Sequence, residues 1–271
     1  MAAAGGAVRI AAVGDIHFGR IDGAKLPRLL EAATASAEIL VLCGDLTDTG
    51  LPDEAKRLAR ELAAVKLPTV AVLGNHDYES GEQAQIAAIL AESGVKVLDG
   101  DSCEIHGVGF AGTKGFCGGF GRGALGPWGE STVKQFVHEA IAEALKMETA
   151  LSRLRTERRV AVMHYSPVRA TVEGEPLEIY PYLGSSRLEE PLVRFQVDCV
   201  LHGHAHNGTL EGRTTAGAPV YNVSMSLLEK RLPGRVPLRI IELTGTTPSE
   251  ERRALERRDQ TERRTGPAPA A

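Results

Sequence analysis

The chain has 271 residues, of which 43% are hydrophobic, 24% charged and only 4% aromatic. That length gives one large domain or two small ones a sizeable core, and the apolar fraction excludes a wholly disordered chain. Lys and Arg number 31 against 35 Asp and Glu, a formal net charge of −4, which excludes a globally basic nucleic-acid binder and leaves only a local basic patch open.

Along the chain, β-branched runs alternate with helical patterns. Val8–Val13 predicts a strand, and Ala24–Ser36 a helix with Leu26, Leu29, Leu30 and Ala33 on one face. Ile39–Cys43 predicts a second strand. Pro52–Val65 predicts a helix with Pro52 in its first turn, where a missing N–H costs little. Thr69–Leu73 predicts a third strand, and Gln83–Ser93 a helix. These strands are near-continuous apolar runs, as expected where both faces of a sheet are covered. Three short strands follow, Val95–Leu98, Cys103–His106 and Val108–Ala111, and then a stretch, Gly107–Gly129, with ten glycines in 23 residues. Val133–Leu154 predicts a long helix with Val133, Val137, Ile141, Ala144, Leu151 and Leu154 near one face. Val160–Met163 and Cys199–Leu201 predict strands separated by a loop and a short helix, Arg187–Phe195; Val220–Val223 and Leu238–Leu243 predict the last two. One domain over residues 1–249 is expected. In residues 250–271, six Arg and five acids precede a Pro/Ala/Gly end, and this segment is expected to be a disordered tail.

Cys43, Cys103, Cys117 and Cys199 show no CxxC pair or framework spacing, which points to reduced thiols. Residues Met1–Ala7 carry no positive charge and do not read as a signal peptide, and no stretch approaches the ~20 apolar residues of a membrane span. A cytoplasmic location without membrane attachment is expected.

The chemistry-bearing residues follow predicted strands. Gly14-Asp15-Ile16-His17 follows the first, Gly44-Asp45-Leu46-Thr47-Asp48 the second, and Gly74-Asn75-His76-Asp77 the third. His164 follows Val160–Met163, and His202-Gly203-His204-Ala205-His206 follows Cys199–Leu201. Ligands in α/β sheets bind at the carboxyl ends of strands. Each block alone reads equally well as a cap, a turn or a core histidine. Five blocks in succession, each at a strand end, point to one crevice that gathers carboxylate, imidazole and amide donors.

These five blocks resemble the calcineurin-like metallophosphoesterase superfamily over residues 8 to about 243. The resemblance implies an α/β fold in which two mixed β-sheets pack as a sandwich flanked by helices. It implies a hydrolase of phosphate esters, phosphodiesterase or phosphatase, with two divalent metal ions. One ion would be held by Asp15, His17, Asp45 and His206, and the other by Asp45, Asn75, His164 and His204, with Asp45 shared. His76 would sit beside the substrate phosphate, and Asp48 would orient it.

The donor chemistry agrees with this assignment. A two-metal site clamps attacking and leaving oxygens and supplies hydroxide near neutral pH. A bridging hydroxide would attack phosphorus in line, Asn75 would stabilise an equatorial oxygen, and His76 would protonate the leaving group. Imidazole, carboxylate and amide without thiolate suit Mn, Fe, Zn, Co or Ni.

Thr49 stands where the related serine/threonine protein phosphatases carry a phosphate-holding Arg, which argues against that subgroup. Arg20 is a candidate substrate contact, with a solvated Arg as the alternative. Asp77 orients neighbours or forms a turn. His202 reads as a buried supporting histidine, and His106 and His138 as solvated.

Two insertions, 112–130 (with Lys114, Phe116, Phe120, Arg122 and Trp128) and 165–186 (with Arg169, Tyr180 and Tyr182), are expected either to form a substrate cap or to pack over the sandwich or against a second copy. The expected partner is a small-molecule phosphate ester such as a nucleotide. A nuclease, with nucleic acid as substrate, is the first alternative, and a non-catalytic scaffold the second. The oligomeric state is not legible.

Overall fold

The computed structural model describes residues 6–20 and 25–244, so the charged segment at 250–271 lies outside the described residues. In chain order the elements are β1 (Val8–Val13), α1 (Lys25–Ser36), β2 (Ile39–Cys43), α2 (Pro52–Ala63), β3 (Thr69–Val72), α3 (Gln83–Glu92), β4 (Lys96–Val97), β5 (Asp101–Ile105), β6 (Val108–Gly112), α4 (Ser131–Arg153), β7 (Arg158–Val162), α5 (Tyr180–Leu183), α6 (Glu189–Arg194), β8 (Cys199–His202), β9 (Glu211–Arg213), β10 (Pro219–Asn222), α7 (Met225–Arg231) and β11 (Arg239–Leu243).

They form a five-stranded sheet, β11-β1-β2-β3-β4, and a six-stranded sheet, β5-β6-β7-β8-β10-β9. Strands β1 to β4 are mutually parallel, with β11 antiparallel at one edge. In the other sheet β6, β7, β8 and β10 are parallel, and β5 and β9 are antiparallel edges.

The two-residue period of a strand explains the layering. Ile10, Ala12, Ile39, Val41, Val70 and Val72 face the second sheet and meet Val108, Phe110, Val160, Val162, Cys199 and Leu201. Their alternates Ala11, Val13, Leu40, Leu42 and Ala71 face Leu26, Leu29, Leu58, Leu62, Ile86 and Leu90 of α1 to α3. On the far side Ala111, Ala161 and Val200 face Met147, Ala150 and Leu151 of α4 and Leu192 of α6. The result is four layers, helix–sheet–sheet–helix. Burying each such aliphatic side chain contributes roughly 1.5–3 kcal/mol.

Three differences from the expected elements have physical causes. The helix expected at Arg187–Phe195 is a single 3₁₀ turn, Ser186–Leu188, followed by α6, which places Pro191 in a first turn where its missing N–H is tolerated. The edge strand β9 has no apolar alternation and exists through its pairing with β10, Pro219 opposite Arg213. The buried stripe of α4 is rotated from the expected face: Val137, Ala140, Met147, Ala150 and Leu151 are buried, and so is Glu143. Glu143 is drawn inward because its Oε2 accepts from Thr113 Oγ1 at 2.5 Å and from the Gly115 N–H at 2.7 Å.

Candidate metal centre

The carboxyl ends of β1, β2, β3, β7 and β8 converge. Gly14 N–H donates to the Val223 carbonyl (2.8 Å), and the Asp15 N–H to the Gly44 carbonyl (2.9 Å), so the turns interlock across the sandwich. Asp15, His17, Asp45 and His204 have positive φ of 56°, 45°, 49° and 68°. Among the described residues only His106 and Gln196 share this among non-glycines. Left-handed backbone at a side-chain-bearing residue costs of order 1–3 kcal/mol and clusters at functional sites.

Glycines make room for these side chains. A Cβ on Gly74 would lie 2.1 Å from Asp45 Oδ1, one on Gly203 2.5 Å from Asp15 Oδ2, and one on Gly44 2.5 Å from His164 Nδ1. Each acidic or imidazole group is thus packed against the bare Cα of another strand end.

Three groups of possible ligand atoms result, each lying within 4.8 Å of one another: Asp15, His17 and His206; His17, Asp45 and His76; Asp45, His164 and His204. Asn75 adjoins the last, its Oδ1 2.9 Å from His164 Nε2. The residues fit a cation. Both ring nitrogens of His17 are buried without a hydrogen bond. Leaving such atoms unpaired costs about 1–3 kcal/mol each, which a bound ion relieves.

Backbone carbonyls engage one nitrogen of three other rings and turn the second one into the site. His164 Nδ1 lies 3.0 Å from the Cys43 carbonyl oxygen, leaving Nε2 toward Asp45. His204 Nε2 lies 3.1 Å from the Tyr182 carbonyl oxygen, leaving Nδ1. His76 Nδ1 lies 2.6 Å from the Asp48 carbonyl oxygen, leaving Nε2. An imidazole that donates from one nitrogen to a carbonyl presents a lone pair, or a transferable proton, on the other.

The electrostatics follow from burial and these neighbours. Burial opposes charge on Asp15 and Asp45. The hydrogen bond from His206 to Asp15 (2.9 Å) and the charge of His164 beside Asp45 nevertheless hold both carboxyls below their ordinary range. Burial also opposes charge on His164, but the adjacent Asp45 carboxylate pulls it up to about 9. Burial depresses His17, and it depresses His204 to about 3. The hydrogen bond to Asp15 raises His206.

The remaining expected residues are placed as follows. Asp48 meets His76 through its main-chain carbonyl rather than its carboxylate, and its Oδ1 stands 3.4 Å from His17 Nδ1. Arg20 is exposed, and its side chain has no partner among the described residues. Asp77 is buried and accepts from the N–H groups of Leu46, Thr47 and Gly74 and from Thr47 Oγ1, binding the turn after β2 to the turn after β3. His202 is fully buried, with Nδ1 2.7 Å from the Gly203 carbonyl oxygen and Nε2 2.8 Å from Thr171 Oγ1. His106 and His138 are exposed. Thr49 lies just before α2, its main-chain N–H donating to Oε2 of Glu54 in the helix's first turn.

Sequence reasoning missed the carbonyls of Cys43 and Tyr182, because a main-chain oxygen leaves no residue-type signal. It also missed the setting of Lys114, whose buried Nζ lies 4.9–5.3 Å from the ring centres of Tyr78, Phe116 and Tyr165. Tyr165 in turn lies against His204, ring centres 4.4 Å apart.

The sequence model of one family, described as calcineurin-like phosphoesterase, matches residues 8–208, most of the chain and all the strand-end blocks. The chain belongs to the calcineurin-like phosphoesterases. As a member it is a phosphoester hydrolase, with Asp/His groups that could hold a metal. Its fold is shared by the structure of phosphopantetheinyl hydrolase from Mycobacterium tuberculosis: TM-score 0.64 at 17% identity, covering 86% of this chain and 95% of that one. It is shared also by the structure of TT1561 from Thermus thermophilus: TM-score 0.52 at 15% identity, covering 88% of this chain and 99% of that one. At such identities the likeness concerns the fold alone. No curated protein sequence is significantly similar to this calcineurin-like phosphoesterase, and no helix among its described residues is long and apolar enough to cross a membrane.

Proposed function

We propose that this phosphoesterase is a two-metal enzyme acting on a small phosphate ester, with Asp45 shared by both metals. The observation that carries this reading is the membership of Asp45 in two ligand groups, one with His17 and His76 and one with His164 and His204. Asp15, His17, Asp45 and His206 would hold one ion, and Asp45, Asn75, His164 and His204 the other. Divalent ions such as Mn, Fe, Zn, Co or Ni would neutralise the substrate phosphate and lower the pKa of water toward neutrality.

The chain's own residues do the rest. His76 stands beside Asp45, its main-chain N–H donating to Asp45 Oδ1 at 2.8 Å. With Nδ1 engaged by the Asp48 carbonyl, a protonated His76 presents Nε2–H to the departing oxygen. Asn75 turns its Oδ1 toward His164, which frees its amide N–H groups for a phosphoryl oxygen. Arg20 is the exposed candidate for an outer contact.

Insertions 112–130 and 165–186 act as one substrate-choosing cap. Their backbones bond at Gly118 N–H to Pro181 O (2.7 Å), Gly119 N–H to Gly184 O (2.9 Å) and Ser186 N–H to Gly119 O (3.1 Å). Among the described residues, five of the eight exposed large hydrophobic side chains lie on them: Leu125, Trp128, Leu177, Ile179 and Tyr182. An organic group on the ester suits such a rim better than a polyanion does. The net charge of −4 likewise gives little support to nucleic acid. The name of the M. tuberculosis neighbour, a phosphopantetheinyl hydrolase, agrees with a small phosphoester.

A Mn-reconstituted screen over phosphomonoesters, phosphodiesters, cyclic nucleotides and nucleic acid tests the reading, with Asp45→Asn run alongside. Turnover of small esters, abolished with loss of both bound metals in Asp45→Asn, is expected. Preferential turnover of DNA or RNA would replace the small-ester reading, and an Asp45→Asn protein that keeps two metals at full activity would defeat the shared-ligand assignment.

A further inference from the structure

A cavity of about 300 Å³ lies behind the loop that carries Asp15 and His17, on the helix side of the first sheet. Ile16, between those two residues, points away from the metal groups and forms the cavity floor with Leu26, Leu29 and Met225; Val236 closes one side. Met225 is tied to the same loop, its N–H donating to the Gly14 carbonyl at 3.0 Å. The volume falls at the lower end of the range of small-molecule sites. None of the candidate metal ligands lines it.

Its charged residues are one-sided. Among the described residues, Lys25, Arg28 and Arg235 line it against a single acid, Glu229. Lys25 Nζ and Glu229 Oε1 satisfy each other at 3.0 Å. The side chains of Arg28 and Arg235 are exposed and have no hydrogen-bond or ion-pair partner among the described residues. Lys25 and Arg28 share one face of α1 at a spacing of three, and no acid occupies the first turn of that helix. Two unpaired guanidiniums therefore stand over an apolar floor. Guanidinium forks pair with planar oxyanions, a carboxylate above all.

We propose that this cavity is a second binding site, separate from the metal centre, for a small amphiphilic carboxylate. Its apolar body rests on Ile16, Leu29 and Met225, and its carboxylate pairs with Arg28 and Arg235. A cation is disfavoured by the uncompensated positive charge, and a fully polar anion gains nothing from the apolar floor.

Isothermal titration of the full chain with decanoate, below its micelle concentration, tests this. Decanol and decylammonium serve as probes with the same chain and a different head. Saturable 1:1 binding of decanoate is expected, with each control at least ~10-fold weaker. The surface double variant Arg28→Glu/Arg235→Glu should weaken decanoate at least ~10-fold, and Val236→Trp, which fills the cavity from a loop, should abolish binding. Chelator-treated protein should bind decanoate as before, since no metal ligand takes part. Absence of saturable binding overturns the proposal. So does equal affinity for decylammonium, or binding unchanged in both variants; the latter would locate the probe on the exposed rim of Leu177 and Tyr182 instead.

Discussion

His76 has one ring nitrogen engaged by the Asp48 carbonyl and the other left open, which suits the proton-donor role proposed for it. His76→Ala should therefore slow esters with poor leaving groups by about 10²–10⁴-fold while barely affecting nitrophenyl esters, whose departing oxygen needs no proton. Equal losses in kcat on the two substrate classes would remove the acid role. His202 carries a different consequence. Burial depresses it to about 4 from an ordinary 6.5, while Nδ1 meets the Gly203 carbonyl and Nε2 meets Thr171 Oγ1. Because folding favours the neutral ring, its contribution is complete above pH 6.5 and is lost as pH falls from there through 4. Urea titrations of chelator-treated protein should show the wild type losing up to about 3 kcal/mol more than His202→Gln over that window. Parallel slopes would show that His202 is not the group responsible. At this scale the candidate ligands were legible, because Asp, Asn and His after Gly at strand ends form a residue-type pattern. Asp48 was legible by position but not by atom, since a side chain was expected where the main chain supplies the contact.

The elements around the site are held by polar groups that no periodicity reveals. Glu143 on α4 reaches across to the turn after β6, and its Oε1 pairs with Lys146 Nζ at 2.7 Å. A hydrophobic-face count places Ile141 and Ala144 inward and Glu143 outward. The tertiary bonds to Thr113 and Gly115 rotate the stripe, because a buried N–H without an acceptor costs more than a displaced methyl. Glu143→Ala should lower Tm by roughly 5–15 °C, from a loss of about 2–4 kcal/mol. Glu143→Gln, which keeps an acceptor for the turn, should lose less than half of that. Differential scanning calorimetry on both variants checks it, and a Glu143→Ala protein within about 1 °C of wild type would show the pairing to be incidental. The central strands and the long helices were legible in the sequence, the strands because alternation between a sheet neighbour and a helix neighbour leaves β1, β2, β3, β6, β7 and β8 mostly apolar. The 3₁₀ turns and α5 within 165–186 had no such signal; contacts with the other insertion give them their shape.

For the whole molecule, the site spans the sandwich. Asp15, His17, Asp45 and Asn75 follow strands of one sheet, and His164, His204 and His206 follow strands of the other. Any ion held by both sets cross-links the layers, so chelation should lower Tm. At metal concentrations about 100-fold above Kd the linkage is worth about 2.7 kcal/mol, or roughly 5–10 °C for a domain of this size. Scanning fluorimetry before and after chelator dialysis, with Mn added back, measures it; an unchanged Tm would mean that the ligand groups do not bind metal together. The same topology has a consequence in time. β1 stops being an edge strand of its sheet only when β11 pairs with it, Val8 against Leu243 and Ala12 against Arg239. On a ribosome adding roughly 5–20 residues per second, the first of these strands waits some ~10–50 s for the last. During that interval each nascent chain carries an open, apolar strand edge of the kind that recruits foreign strands. The yield of this enzyme in a cell therefore depends on what shields that edge during synthesis, a demand that the finished sandwich no longer displays.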